Sequence, residues 1–409
     1  MNAGANQIPE VVSAPLGSAL EVLRAFTKLG FTCFGGPVAH IGYFRDEFVV
    51  RRRWLDDTNY ADLVALCQFL PGPASSQVGF SIGLLRAGYT GALAAWAGFT
   101  LPSAVSLILF AYGVGALGRG IGDGLLHGLK LVAVAIVAQA VFGMARSLCP
   151  DRERASIAVV AALIVLLAST SIVQVAAIAC GAIAGLVLCR HLPMAEASNL
   201  TLHASRRASF AALVAFFALL IGLPLVASAS GTKWVDLFGA FYRSGALVFG
   251  GGHVVLPLLR EAFVAPGWVD DEAFLAGYGA AQAVPGPLFT FAAYLGAVAE
   301  PTHRLLGATV GLIGIFLPGF LVLLGALPLW SKLRQRPAAQ AAMRGVNAAV
   351  VGLLGAALYN PVWVTSVKTP ADLALALVGF VLLQVWRAPP LLVVILSACG
   401  GMALSLTAR

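Results

Sequence analysis

Two basic side chains lie inside apolar stretches of the sequence, each beside a cluster of glycines. Lys28 precedes Phe34-Gly35-Gly36-Pro37, and Arg243 precedes Phe249-Gly250-Gly251-Gly252 at the same distance. Glycine lets a backbone approach a ligand without a Cβ in the way, and free N–H groups at a helix start attract anions. A cation beside such a break predicts an anion site within a membrane. The alternatives are snorkelling of the cations to headgroups and close helix packing at the glycines.

Hydroxyl and amide side chains flank a second break in each half of the chain. Ser75 and Ser76 follow Pro71-Gly72-Pro73, and Thr290 follows Pro285-Gly286-Pro287. These hydroxyls are expected to donate to an anion, or else to satisfy the helix backbone. The full candidate site comprises Lys28, Arg243, Gly35, Gly36, Gly250, Gly251, Ser75, Ser76, Gln68, Gln282, Thr290, Arg45 and Arg260.

Other polar residues have competing interpretations. Arg45 and Arg260 could bind an anion, contact headgroups, or pair with the adjacent Asp46 and Glu261. Lys130 is a further cation without a basic counterpart.

The remaining singled-out residues are interpreted as structural. His40 and His253 do not occupy equivalent positions and are predicted to be packing groups. Trp54 and Trp268 are predicted to anchor at the membrane interface, where tryptophan is enriched. The aspartates that follow them, Asp56-Asp57 and Asp270-Asp271, are expected to cap the next helix.

The chain contains two copies of one design. The aligned pairs are Phe26 with Phe241, Lys28 with Arg243, Phe34-Gly35-Gly36 with Phe249-Gly250-Gly251, Arg45 with Arg260, Trp54 with Trp268, Gln68 with Gln282, and Pro71-Gly72-Pro73 with Pro285-Gly286-Pro287. The difference in residue number between aligned positions is constant, apart from one residue that the second copy lacks in a loop. A duplicated apolar chain with Gly/Pro-broken segments predicts a transporter with its site between the halves.

Composition places the chain in a membrane. Its 409 residues are 59% hydrophobic and 11% charged, and the mean hydropathy is +0.90. A soluble protein carries about 25% charged residues. The net charge of +8 is attributed to loop charge that sets membrane orientation, and no nucleic-acid partner is expected. The six cysteines lack C-x-x-C spacing, so no metal, cofactor or disulfide is predicted.

The predicted fold is an all-α polytopic membrane protein of two inverted-topology repeats with broken or re-entrant helices, joined by one extra transmembrane helix. Residues 1–14 are predicted to be a disordered N-terminus, and residues 15–192 the first repeat. Residues 193–232 link the repeats and contain the extra helix, and residues 233–409 form the second repeat.

Loop charge predicts how the repeats are oriented. Three loops rich in Lys and Arg are expected to be cytoplasmic, and their equivalents in the other repeat are poor in both. The basic residues are Arg146, Arg152 and Arg154, then Arg190, Arg206 and Arg207, then Lys332, Arg334, Arg336 and Arg344. The repeats are therefore predicted to run in opposite senses, with the N-terminus in the cytoplasm and the C-terminus outside.

The broken segments are interpreted as hairpins. Residues 61–70 and 75–85 are each too short to cross a hydrocarbon core of about 30 Å. Arg51-Arg52-Arg53 and Arg86 are both expected on the cytoplasmic side, so the chain would enter and return between them. Four broken tips would then meet near the middle of the membrane. Full spans with kinks are the alternative.

These motifs together resemble the chromate ion transporter family in its long, two-repeat form. The residues are F-T-K-L-G-F-T-C-F-G-G-P at 26–37, Q-x-x-P-G-P at 68–73, and their second copies. The resemblance covers nearly the whole chain. It implies efflux of chromate across the bacterial inner membrane and chromate resistance, with sulfate as a competing look-alike and the lipid bilayer as surroundings. A homodimer is also possible.

The sequence also bears on the driving force of efflux and on two competing classes of function. A dianion leaving a negative interior gains about 4.6 kcal/mol per 100 mV, so efflux is expected to be driven mainly by membrane potential, with few carboxylates for a proton relay. The alternatives are a carrier or a channel for another oxyanion or small organic anion, with or without coupling to protons. An enzyme is not expected, because no G-x-G-x-x-G motif follows a predicted strand, and no paired cysteines or histidine pairs at ligand spacing are present.

Overall fold

The computed structural model describes residues 17–33, 36–114, 121–167, 171–190, 205–249, 254–330 and 336–407, and every regular element in these ranges is helical. The predicted disordered segment 1–14 lies outside them. The helices are α1 (Ala19–Thr32), α2 (Gly36–Arg45), α3 (Asp57–Phe69), α4 (Ala74–Val114), α5 (Ile121–Leu148), α6 (Arg152–Leu167), α7 (Ser171–Leu188), α8 (Arg206–Ser230), α9 (Lys233–Ala246), α10 (Val255–Phe263), α11 (Asp271–Ala283), α12 (Phe291–Ala299), α13 (Arg304–Ala326), α14 (Pro337–Ala357), α15 (Pro370–Gln384) and α16 (Pro390–Thr407).

Short π and 3₁₀ segments extend several of these helices. They are Asp46–Arg51, Leu288–Thr290, Pro301–His303, Leu327–Leu329 and Leu358–Trp363, and one helical turn, Val364–Ser366, follows the last of them.

Several helices can cross a bilayer. In the described part of the chain, five stretches are long and apolar enough: Ala74–Gly113, Gly124–Leu148, Arg206–Ala229, Pro301–Ala326 and Pro337–Ser366. Shorter apolar helices accompany them. The chain is an all-α, multi-pass membrane protein, as its composition predicts. Helix α8, with only 11% of its apolar window buried, is the extra span between the repeats.

The first repeat folds into hairpins at its breaks. The ring of Phe26 in α1 packs on those of Phe44 and Phe48, with centroids 5.5 and 4.8 Å apart. Helix α2 and the segment after it therefore run back along α1. The hydroxyl of Tyr60 in α3 then donates to the carbonyl of Ile41 at 2.6 Å, so α3 runs back along α2. The chain therefore reverses at the first break, as the hairpin interpretation predicts.

Helix α4 contains a further reversal. Ala87 and Gly88 have non-helical backbone angles, and Gly88 has φ +63°. A Cβ built on Gly83 would lie 2.4 Å from the carbonyl oxygen of Gly91. Eight residues along a straight helix would be about 12 Å apart. The residues before Ala87 therefore return from the second break, and those after Gly88 form the long span.

The second repeat has the same hairpins. The rings of Phe241 in α9 and Phe263 in α10 lie 4.4 Å apart. The hydroxyl of Tyr294 in α12 donates to the carbonyl of Ala273 in α11 at 2.9 Å. Helix α12 then turns through Pro301–His303 into α13, which corresponds to the reversal within α4.

Aspartates start the third helix of each repeat, as predicted. The side chain of Asp56 accepts from the backbone N–H of Asn59 at 2.8 Å, and that of Asp270 accepts from Ala273 at 2.7 Å. Each therefore satisfies one of the free N–H groups of a helix start.

The breaks of the two repeats bond to one another. The N–H of Gly72 donates to the carbonyl of Val248 at 2.7 Å, and the N–H of Gly286 donates to that of Cys33 at 2.8 Å. Cys33 and Val248 are equivalent positions, as are Gly72 and Gly286. We call these four residues the crossing. The reciprocal bonds have pseudo-two-fold symmetry, which fits two repeats of inverted topology.

The outer helices also pack across the repeats. Helix α5 packs mainly on α15 and α16, and α14 packs mainly on α6 and α7. Small residues line both seams. A Cβ on Gly128 would lie 2.2 Å from the carbonyl oxygen of Ser397, and one on Gly345 would lie 2.0 Å from that of Gly181. Small residues let membrane helices approach closely, so the outer helices of one repeat pack tightly on those of the other.

Substitution of the crossing glycines should destabilise the protein. Gly72 and Gly286 have φ of +120° and +103°, and a Cβ on them would lie 2.8 Å from Gly319 Cα and 2.9 Å from Ser103 Oγ. Gly72→Ala and Gly286→Ala should cost about 3 kcal/mol or more, from backbone strain plus overpacking. Thermal unfolding in detergent measures this.

Gly267→Ala is the matched control for backbone strain alone. Gly267 has φ +78° with nothing within 4 Å of a built Cβ, so it should cost only about 1 kcal/mol. Equal losses in all three variants would contradict the importance of the crossing.

Candidate functional site

The crossing brings helix starts together in the interior. Helix α4 begins directly after Pro73, and its first helical bond runs from the N–H of Gln77 to the carbonyl of Pro73 at 2.9 Å. The backbone N–H groups of the first turn of α4 therefore have no acceptor within the helix. They carry the positive end of the helix dipole, which attracts anions.

Three consecutive polar side chains line this start, and all are buried. Ser75 Oγ lies 3.3 Å from Nδ1 of His40. Ser76 Oγ has no hydrogen-bond partner among the described residues. Gln77 donates to the carbonyls of Pro71 and Gly319 at 2.9 and 2.8 Å, so it ties the second break to α13 of the other repeat.

The second repeat is less polar at the equivalent positions. Phe289, Thr290 and Phe291 replace Ser75, Ser76 and Gln77. The hydroxyl of Thr290 donates to the carbonyl of Pro287 at 2.7 Å, which is the backbone role that the sequence left open.

The glycines and glutamines of the candidate set occupy different surroundings. Gly36 begins α2 with φ +75°, whereas Gly35, Gly250 and Gly251 lie outside the described residues. Gln68 is exposed on α3, and Gln282 is half-buried with no partner for its Nε2 among the described residues. The repeat-matched glutamines are thus not equivalent in space.

Lys28 belongs to a cluster around one carboxylate. Its Nζ lies 3.3 Å from Glu47, and Glu47 also pairs with Arg51 and Arg52 at 2.9 and 2.8 Å. Glu47 is buried and Lys28 is 49% exposed. Although burial alone would raise it, the pKa of Glu47 is lowered by hydrogen bonds from Arg52 and Lys28. Three cations on one carboxylate leave an excess of positive charge here.

Arg243 has different surroundings. Alanine replaces Glu47 at the equivalent position, Ala262, and Arg243 forms no ion pair with any described residue. Its side chain lines an open cavity of about 450 Å³ whose walls include Asp236, Glu261 and Trp268. The two cations share no neighbour in the described contacts, so the expectation that they act as a pair stays a prediction.

Arg45 and Arg260 pair with residues other than the adjacent acids. Arg45 Nε lies 2.7 Å from Asp57, and Arg260 contacts both oxygens of Asp271 at 2.8 and 3.0 Å. The adjacent Asp46 and Glu261, one of the alternatives that the sequence left open, are not the observed partners, because neighbouring side chains on a helix point apart. The observed pairs are equivalent, and each links the two hairpins of its repeat.

Lys130 joins two other elements. It is buried on α5, and its Nζ lies 2.9 Å from Glu272 at the start of α11. Its counterpart, Asn347, carries a buried carbonyl oxygen without a partner among the described residues. This cation is therefore neutralised across the repeats.

Two contributors were missed or undervalued by sequence reasoning. Glu47 partners Lys28 from 19 positions away, and no local spacing points to it. His40 was interpreted as a packing group. Its aligned residue is Val255, and a polar residue found in one copy only was the available signal.

Comparison with known proteins gives one family. The family model described as chromate transporter matches residues 20–186 and 235–402, which are the two repeats. No solved structure matches the chain.

Relatives cover nearly the whole chain. A chromate transport protein of Pseudomonas aeruginosa is 30% identical over 402 residues, covering 96% of this chain and 93% of its own. A chromate transport protein of Cupriavidus metallidurans is 26% identical over 91% of this chain and 88% of its own. An uncharacterized transporter of Bacillus subtilis is 32% identical over 41% of this chain but 85% of its own, which is the size of one repeat.

Reversal of the Arg260–Asp271 pair tests whether it holds the hairpins together. Arg260→Asp or Asp271→Arg should each cost about 1–2 kcal/mol, because both side chains are 28% exposed and bond through two contacts. The double variant should regain much of this loss in thermal unfolding. The control is Arg152→Asp, which should change the free energy of unfolding little because the side chain of Arg152 is 93% exposed. No recovery in the double variant would contradict a pairing role.

Proposed function

Because the chain belongs to the chromate transporter family, whose model covers both of its repeats, we propose that it exports chromate from the cytoplasm across the inner membrane and so confers resistance. The observation that carries the proposal is the crossing, where broken helices of both repeats meet beside buried hydroxyls. A site between inverted repeats is where secondary transporters bind their substrates.

The chemistry of the crossing suits a tetrahedral dianion. Chromate offers four oxygens as acceptors, and the first turn of α4 offers free N–H groups with the hydroxyls of Ser75 and Ser76. Gly36, at the first break of the same repeat, has no Cβ that would keep an anion from the backbone. Gly35, Gly250 and Gly251 are proposed to do the same.

The cations are proposed to act around this centre. Lys28 stands with an excess of positive charge beside Glu47, and Arg243 faces an open cavity. Both would attract an anion toward the crossing from either repeat. Gln282, whose amide nitrogen lacks a partner, is kept as a donor, whereas Gln68 and Thr290 have weaker support. The ion pairs of Arg45 and Arg260 favour a positioning role for both.

Membrane potential is the proposed driving force. Two negative charges leaving a negative interior gain about 4.6 kcal/mol per 100 mV. The orientation with the N-terminus inside and the C-terminus outside follows loop charge. Sulfate has the same shape and charge and is expected to compete.

Lys28→Ala and Arg243→Ala should each abolish chromate resistance while membrane abundance stays normal. Each variant removes charge that attracts the anion, and Glu47 keeps Arg51 and Arg52 when Lys28 is lost. Growth on chromate, with immunoblots of membranes, measures both quantities. Arg152→Ala is the control. Full resistance in both variants would remove these cations from the site.

Transport in inside-out vesicles tests direction and driving force. Labelled chromate should accumulate when the lumen is made positive, even with the pH gradient collapsed. Sulfate in excess should reduce the rate, and saturation would favour a carrier over a channel. Loss of transport on collapsing the pH gradient alone, at a clamped potential, would overturn the potential-driven mechanism. Accumulation of another oxyanion but not chromate would favour the alternative substrate.

A further inference from the structure

One buried side chain at the crossing has an unused polar atom. His40 on α2 is 0% exposed, and its Nδ1 lies 3.3 Å from Ser75 Oγ. Its Nε2 has no hydrogen-bond partner among the described residues. Buried polar atoms are nearly always bonded, because leaving one unpaired costs about 1–3 kcal/mol. An unpaired polar atom in the interior of a transporter indicates a partner that binds transiently.

The position of His40 connects three of the breaks. Ser75 follows the second break of the first repeat, and the imidazole also lies close to the backbone of Cys33 at the first break of that repeat. Cys33 in turn accepts the hydrogen bond from Gly286, which lies in the second break of the second repeat. The ring of Phe99 meets the imidazole edge-on at 5.1 Å, and the Phe99 carbonyl lies 3.1 Å from a Cβ built on Gly286.

Other unpaired hydroxyls accompany His40. Ser76, next to Ser75, and Thr100, next to Phe99, are buried with no partner for their side-chain oxygens among the described residues. The second repeat places Val255 at the position of His40 and Phe289 at that of Ser75. The unpaired imidazole and the two unpaired hydroxyls therefore all belong to the first repeat.

We propose that His40 contacts the transported oxyanion, with Nε2 donating a hydrogen bond to one of its oxygens and the imidazolium binding it most tightly. This assignment rests on the proposed function and adds a titratable group to its site. Anion affinity then depends on pH, because a bound dianion favours the protonated ring, which alone carries charge.

Titratable groups near His40 are already engaged or lie on its flanks. Helix α2 itself carries Tyr43 and Arg45, and the π segment after it carries Asp46, Glu47 and Arg51. Helix α3 carries Asp57, Tyr60, Asp62 and Cys67. The others are Lys28 on α1, the thiol of Cys33 directly after α1, and Arg86 on α4. Glu47 is bound by three cations, Tyr60 donates to Ile41, and Arg86 pairs with Glu21. Asp62 also has a partner. None of the ion pairs in the described part of the chain involves His40, so a bound dianion would be its counter-ion.

The test compares His40→Gln with the wild type in chromate uptake by inside-out vesicles at about pH 6 and about pH 8. Glutamine keeps a donor but cannot titrate. The wild-type KM should rise by about tenfold between the two pH values beyond the change in the variant, since protonation of chromate itself affects both equally. His40→Gln should have a raised KM at the lower pH and little loss of maximal rate. His303→Gln, at an exposed histidine, should behave as the wild type.

The outcomes separate this assignment from the proposed function. The same KM and pH profile in His40→Gln as in the wild type would overturn the role of His40 while leaving chromate transport intact. A purely structural role would lower membrane abundance and thermal stability with an unchanged KM profile, and would overturn it as well. His40→Asn provides the same readout if His40→Gln does not fold. Absence of chromate uptake by the wild type would overturn the proposed function and this assignment together.

Discussion

Two backbone hydrogen bonds, from Gly72 to Val248 and from Gly286 to Cys33, are the interaction on which this fold depends. A helix broken inside a membrane leaves N–H and carbonyl groups unsatisfied, and no water is present to bind them. Each repeat here breaks in two places and supplies the bond that the other lacks. Each repeat thus accepts a backbone hydrogen bond from a break of the other, so the centre of the molecule is built from both copies.

Contacts between the two repeats continue outward from the crossing. Helix α5 of the first repeat packs on α15 and α16 of the second, while α14 packs on α6 and α7. At Gly30 and Gly245, equivalent positions, a Cβ would lie 2.6 Å from the Gly98 carbonyl and 2.2 Å from the Ile315 carbonyl. Close approach at equivalent glycines shows that the two copies retain one packing scheme. Fixed central contacts and matching flanks are what a symmetric carrier framework requires.

Features that depend on local sequence could be predicted, and those that depend on distant approach could not. The alignment of the copies identified the breaks, the Asp56 and Asp270 caps and the chain reversals, because glycine, proline and aspartate act within a few residues. For Arg45 the sequence left three alternatives open, and the adjacent Asp46 was the only ion-pair partner that proximity in sequence could suggest. Asp57 is the partner because α3 returns beside α2. Similarly, only the folded chain places His40 against Ser75.

The symmetric framework carries unequal chemistry. His40, Ser75 and Ser76 line one side of the crossing, whereas their counterparts are Val255, Phe289 and Thr290, whose hydroxyl already donates to Pro287. Buried aromatic groups exclude water and lower the local dielectric, which strengthens the attraction between an anion and the dipoles facing it. In the proposed site, the aromatic groups of the second repeat would therefore strengthen the effect of the polar groups of the first. The duplicated framework would then supply the geometry of binding, and the divergence between its copies would supply the chemistry.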